Sequence, residues 1–224
     1  DGALIGEFGE ERRALVKITE VPKVLKDAIL SAEDERFYQH GGVDYMGVAR
    51  AALNNLVSGG AREGASTITM QVARNFFLTP EKTLTRKFSE AMLAFKIEHT
   101  LSKDQILELY INQIYLGQRA YGFAAASQIY FGKPIEQLTA AEAAMLAGLP
   151  KAPSRYNPVV NPQRAKARQR YVLGRMLSLG HLDQKQYEAA LNEPLKVRHD
   201  LQFSEVTGDY IAEMVRQVMY DRYQ

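Results

Sequence analysis

The chain contains no cysteine. That excludes disulfides and thiolate metal sites, while leaving the redox compartment open. It has no run of about 18 apolar residues, so no segment reads as a membrane-spanning helix. The N-terminus lacks the basic, apolar and small-residue succession of a signal peptide, and Asp1 stands where an initiator Met would be, as in a piece of a longer chain. Charge of one sign is scarce as well: 28 Lys and Arg against 26 Asp and Glu leave a net charge of +2, which gives no general case for nucleic acid and makes any basic feature local. Four histidines without a His-Glu-x-x-His pairing speak against a histidine zinc site. No Gly-Lys-Ser/Thr follows Gly59, Gly60 and Gly64, so these glycines do not form a phosphate loop.

What is present suits a globular fold. A chain of 224 residues with 46% hydrophobic and 24% charged side chains can bury one large core or two small ones. Val24, Leu25, Ala28, Ile29 and Ala32 recur at helical spacing after Pro22, which fits a helix's first turn. Asp44 can cap a second helix with an apolar stripe from Val48 to Val57, ended by the glycine-rich residues 58–64. Residues 66–72 are β-branched enough for a strand, yet Ile68, Val72, Asn75 and Phe76 keep helical spacing. Thr79-Pro80 opens a long helix to about Thr100, with Leu84, Phe88, Ala91 and Phe95 on one face and Arg86 and Glu90 on roughly the opposite one.

Capping boxes at Ser102 to Gln105 and Thr139 to Glu142 start two more helices, with a small-sided helical stretch between them from Tyr121 to Tyr130. Residues 150–162 are proline-rich and irregular. Asn161-Pro162 then caps a basic helix carrying Arg164, Lys166, Arg168, Arg170 and Arg175, most simply a solvated face. Asp183 starts a short helix and 210–223 is another. No repeat and no strand-helix alternation appears, so the fold class is mainly α.

The stretch Glu33-Asp34-Glu35-Arg36-Phe37-Tyr38-Gln39-His40-Gly41-Gly42 is a poor recipe for plain core. If the first helix ran on, Glu33, Phe37 and His40 would share one side, and the glycine pair would stop it. Taken alone, the stretch fits a solvated acidic helix end better than a catalytic element. Glu33 and Glu90 are the acidic candidates for acid-base work. Transfer of a sugar needs a base for the attacking hydroxyl and a cation for the leaving group. Arg86 and Arg74 suit the second task, since a guanidinium fork matches phosphate oxygens. Arg86 and Glu90, four apart, also fit an ordinary surface ion pair. Phe76-Phe77-Leu78 is either core or an exposed membrane-contacting patch.

Five stretches together resemble the motif set of the peptidoglycan glycosyltransferases, as found in class A penicillin-binding proteins of the Gram-negative 1a type. Glu33, Asp34, Phe37, His40 and Gly42 match the first motif. Gly64, Ser66, Thr67, Ile68 and Gln71 match the second, with Met70 where a further Gln is usual. Arg86, Lys87 and Glu90 match the third, Lys103, Ile106, Leu107, Tyr110 and Asn112 the fourth, and Arg168, Val172 and Leu173 the fifth. Five motifs in order over about 140 residues are specific where each alone is weak.

The resemblance implies a lysozyme-like helical domain over residues 1–200, with a large lobe and a smaller membrane-associated lobe. Residues 201–224 would then form a helix leading towards a transpeptidase part, whose Ser-x-x-Lys and Lys-Thr-Gly motifs are absent from this sequence. It also implies polymerisation of lipid II into glycan strands by inverting transfer, with release of undecaprenyl diphosphate at the periplasmic face of the bacterial inner membrane. Glu33 would be the base and Glu90 a second essential carboxylate. Arg74 and Arg86 would hold the donor diphosphate, with a divalent cation (Mg or Mn) left open. Asp34, Phe37, His40, Ser66, Thr67, Gln71, Lys87, Lys103 and Asn112 would line or support the substrate site, and Tyr110 and Arg168 would shape the cleft. Implied partners are lipid II, the growing glycan, other cell-wall synthesis proteins, and the membrane through a helix preceding Asp1 and the patch at Phe76, Phe77 and Leu78. A muramidase and a non-catalytic wall- or membrane-binding module are the competing readings.

Overall fold

A computed structural model describes residues 12–50, 66–77 and 84–198. The glycine-rich stretch 58–64, the start of the long helix at Thr79-Pro80, Phe77's side chain, Leu78 and the expected helix at 210–223 lie outside the described detail. The described residues are mainly helical. They form α1 (Lys23–Glu33), α2 (residues 45–50), α3 (Ile68–Phe77), α4 (Leu84–Thr100), α5 (Lys103–Gln113), α6 (Phe123–Phe131), α7 (Ala140–Ala147), α8 (Pro162–Ser178) and α9 (Gln184–Asn192). The two short strands β1 (Arg12–Arg13) and β2 (Ala120–Tyr121) pair in parallel, Arg12 opposite Ala120 and Arg13 opposite Tyr121.

α7 is the central element. All but its first residue are buried, and its alanines let α1 and α8 lie against it while α1 also touches α8. Helices with small faces approach closely, so contact between large side chains moves to their edges. There, Phe37, Tyr110, Phe123 and Tyr130 are almost wholly buried with Leu25, Ile29, Ile106 and Ile111, each fully buried Leu or Ile contributing roughly 1.5–3 kcal/mol. A second group packs α3 on α4 and on α5, so α5 joins the two. Capping boxes at Ser102/Gln105 and Thr139/Glu142 form as the sequence indicates, and a third forms at Asp183/Gln186. Asn161 does not cap α8 with its side chain; its amide donates to Ser154 O instead.

Two expectations are corrected. α1 does not run on towards His40: it ends at Glu33, and Asp34 leaves helical geometry at φ −162° and ψ 78°. A 3-10 turn at Phe37–Gln39 follows, turning Phe37 into the core. The glycines therefore do not stop a helix. Gly42, at φ +84°, lies where a Cβ would come within 3.1 Å of the Ala94 backbone, so only glycine permits this approach to α4. Nor is the basic face of α8 all solvated. Arg168 and Gln169 are buried, because that side of α8 packs on α1 and α7.

Candidate active site

Glu33 is the last residue of α1, so its backbone is fixed by a packed helix while its side chain reaches past the end. Burial dominates its ionisation and pushes its pKa above the ordinary carboxylate value. The hydrogen bond from Gln71, and then the charges of Arg168, Lys151 and Arg74, oppose that rise without cancelling it. Gln71 Nε2 donates to Glu33 Oε2 at 2.9 Å. Arg168 Nη2 stands 3.8 Å from Glu33 Oε1, and that oxygen has no hydrogen-bond partner among the described residues. Tyr110 lies close enough for Glu33's charge to raise its own pKa, after burial, well above that of a free phenol.

The neighbouring carboxylates face elsewhere. Asp34 Oδ2 accepts from the Ile68 N–H at 3.1 Å, and both Asp34 oxygens accept from His40 Nε2 at 2.9 and 3.0 Å. Asp34 thus satisfies a free N–H at the start of α3. Thr67 completes that cap: its hydroxyl accepts from Met70 N at 3.1 Å and donates to Gly42 O at 2.6 Å. This locks the start of α3, and with it Gln71 one turn on, to the loop that follows Glu33. Glu35 pairs with Arg50 and Arg175. Burial raises its pKa, but those two guanidinium groups outweigh it and hold the carboxyl below its ordinary value.

Arg86, Lys87 and Glu90 form a second cluster on α4. Glu90 is 1% exposed, with Arg86 Nε at 3.3 Å and Lys87 Nζ at 2.7 Å. Glu90 is thus a buried carboxylate between two partly exposed cations rather than half of a surface pair, and Lys87 Nζ also donates to Ser66 Oγ ahead of α3. Lys103 Nζ sits 4.4 Å over the Phe37 ring and pairs with Glu98 at 2.7 Å, which also accepts from Thr69 Oγ1. The Asn112 amide is fully engaged by backbone: Val16 N donates to its oxygen at 2.9 Å, and its nitrogen donates to Val16 O and Glu108 O at 2.8 and 3.0 Å.

Residues from all five motifs therefore meet through a continuous set of contacts. A family model described as transglycosylase matches residues 1–177. The chain belongs to the transglycosylase family.

Among its relatives, this transglycosylase chain is 60% identical over 223 residues to penicillin-binding protein 1A of Neisseria cinerea, a match covering 100% of this chain and 28% of that protein. It is 54% identical over 223 residues to penicillin-binding protein 1A of Pseudomonas aeruginosa, covering 27% of that protein. The chain thus spans little more than a quarter of these relatives. The crystal structure of penicillin-binding protein 1A from Haemophilus influenzae superposes with a TM-score of 0.58 at 34% identity, over 99% of this chain and 23% of that one. Glycosyl transfer is the chemistry that the family's description gives for this domain.

Around the candidate site stand residues to which sequence reasoning assigned no such role. Lys151 acts on Glu33 electrostatically; a lone lysine in a proline-rich turn gives no signal of that. Asn75, Phe76, Gln113, Tyr115 and Tyr121 line a cleft of about 440 Å³, bringing residues from α3, the end of α5 and β2 together across more than 40 positions. Between Tyr115 and Tyr121 the chain is in unusual backbone: Gln118 and Arg119 have φ of 50° and 60°, a conformation rare for non-glycine residues and costing about 1–3 kcal/mol each. As for a divalent cation, the residues do not offer it a cage. Among the described residues there is no cluster of three His, Asp or Glu, and both Glu33 and Glu90 already face cationic side chains.

Proposed function

We propose that this domain is a peptidoglycan glycosyltransferase that polymerises lipid II, with Glu33 as general base. One observation carries the reading: a buried carboxyl has one oxygen fixed by Gln71, the other open, and three cationic side chains acting on it. In the reaction, Glu33 Oε1 takes the proton of the acceptor's GlcNAc 4-hydroxyl. That oxygen attacks the donor's anomeric carbon from the face opposite the diphosphate, the bond from carbon to phosphate oxygen breaks, and undecaprenyl diphosphate leaves with configuration inverted. Burial makes the carboxylate a stronger base, while Gln71, Arg168, Lys151 and Arg74 favour its ionised form. Such a base contributes roughly 10²–10⁴-fold.

Arg74 and Arg86 take the role of holding the donor diphosphate, and Glu90 that of fixing Arg86 and Lys87 from below. The cleft that Asn75 and Phe76 share with Gln113, Tyr115 and Tyr121, with two amides and three aromatic rings, has the chemistry of a sugar seat. Cationic groups beside the carboxyl favour transfer from a diphosphate over hydrolysis of a neutral glycosidic bond. Phe76, Phe88 and Met92 are 44%, 68% and 53% exposed, and they support lipid contact by α3 and α4 at the periplasmic face of the inner membrane. No helix among the described residues is long and apolar enough to cross it.

The test is purified protein with lipid II in detergent. Polymer should form, and Glu33→Gln should lower the rate by roughly 10²–10⁴-fold with the fold retained. Digestion of preformed glycan without polymer from lipid II would make the domain a muramidase, and unchanged behaviour of Glu33→Gln would leave a binding module.

A further inference from the structure

Glu33 Oε2 is held by Gln71, whereas Oε1 has no hydrogen-bond donor among the described residues. A base in that condition needs its free oxygen aimed without being occupied. Arg168 Nη2, 3.8 Å from Oε1, is too far to fill a lone pair yet near enough to attract it.

Arg168 is placed there by a built slot. It is 8% exposed. Its guanidinium lies 4.6 Å over the Tyr171 ring and 5.9 Å from that of Tyr156, which holds a cation while leaving its edge unconsumed. Its stem passes the end of α7 only because residue 148 is glycine: a Cβ there would lie 2.8 Å from Arg168 Cγ. Next to it, Gln169 Nε2 donates to Ala141 O at 2.7 Å, fixing α8 on α7. Two helical turns on, Arg175 pairs with Glu35, so one face of α8 grips both outward carboxylates of the Glu33 to Glu35 turn.

We propose that Arg168 is a positioning residue for glycosyl transfer, aiming Glu33 Oε1 by charge from an aromatic slot while leaving that oxygen open to the acceptor hydroxyl. The inference rests on Glu33 being the base. Its surroundings otherwise are Gln71 and Arg74 from α3, Lys151 from the turn after α7, Tyr110 from α5 and Asp34 beside it. With Arg74 and Lys151 still present, loss of Arg168 weakens the holding of Glu33 and moves its ionisation to higher pH.

The experiment is lipid II polymerisation against pH for wild type and for Glu33→Gln, Arg168→Met, Arg168→Lys and Gly148→Ala, each checked for folding by thermal melting. Arg168→Met should lower kcat about tenfold, as a small misplacement of a reacting group does, leave KM nearly unchanged and move the acidic limb upward. Gly148→Ala should shift the limb the same way without altering any titratable group, and Arg168→Lys should fall between Met and wild type. Should Arg168→Met not fold, the other two variants carry the same readout. An inactive Glu33→Gln with folded Arg168 and Gly148 variants whose acidic limb and kcat are unmoved, or whose KM alone rises, would overturn the proposal. An active Glu33→Gln would instead remove the base assignment itself.

Discussion

At the scale of the residue, Glu33 is held in an environment that favours its neutral form, and this has a consequence for stability. Its pKa in the folded protein is raised above the value of 4.5 for a free glutamate. The stabilising contribution is therefore fully present below about pH 4.5, where the carboxyl is protonated in both states, and is lost as pH rises through the raised folded value. At neutral pH, above the unfolded value, the raised pKa therefore opposes folding. Glu33→Gln should melt higher than wild type at pH 7, with the difference shrinking towards pH 4; equal melting temperatures across that range would contradict the burial of this charge. The same substitution that removes activity is thus expected to stabilise, as is common where a site keeps an unfavourable charge. Its own stretch reads as a solvated helix end, and Glu33 was legible as a candidate in the sequence only because four further motifs follow it in order. Its partners Lys151 and Arg168 were not separable from solvated bases by spacing, since contacts from α8 and from the turn after α7 set their position.

At the scale of the element, α3 and α4 carry the arrangement. The start of α3 is capped twice, by Thr67 on Met70 N and by Asp34 on Ile68 N. Thr67→Ala should cost about 1–2 kcal/mol of stability, measured by denaturant unfolding, and should lower activity by releasing Gln71; full stability would mean that the cap contributes nothing. α4 departs in part from the usual amphipathic rule. Glu90 and Ala94 face inward, while Phe88 and Met92 face out. From the sequence, the Leu84, Phe88, Ala91 and Phe95 face and the Arg86 and Glu90 face could both be assigned, but which one meets the protein could not. Periodicity reports that a helix has two faces, and only packing reports which is covered. A Phe88→Ser, Met92→Ser double variant should bind anionic lipid vesicles several-fold more weakly, since each buried methylene counts for about 0.8 kcal/mol, with melting temperature unchanged. Undiminished vesicle binding would remove α4 from the membrane contact.

At the scale of the whole molecule, the chain's early residues are tied to its middle. Asn112 holds both backbone groups of Val16, and Glu108 accepts from Ile18 N at 2.7 Å, so the segment preceding α1 is laid along α5 and reaches β2 beside the Tyr121 wall of the cleft. Asn112→Ala leaves those groups unmatched and should cost roughly 1–3 kcal/mol. Hydrogen exchange at Val16 should accelerate before the core opens; unchanged protection there would show another anchor.

What the sequence by itself determined is the local and the chemical: helices where apolar side chains recur every three to four residues, caps where Ser, Thr or Asp precede Gln or Glu by three, and five motifs specific enough to name a family. Tertiary structure alone decided that α1 stops at Glu33, that Asp34 and Glu35 turn away to different helices, that Arg168 faces the carboxyl and that α4 turns Phe88 and Met92 out. The physical reason is range. Helix and cap energetics act within four residues and can be read along the chain, whereas desolvation and ion pairing depend on partners 38 to 140 positions away, which no linear spacing encodes.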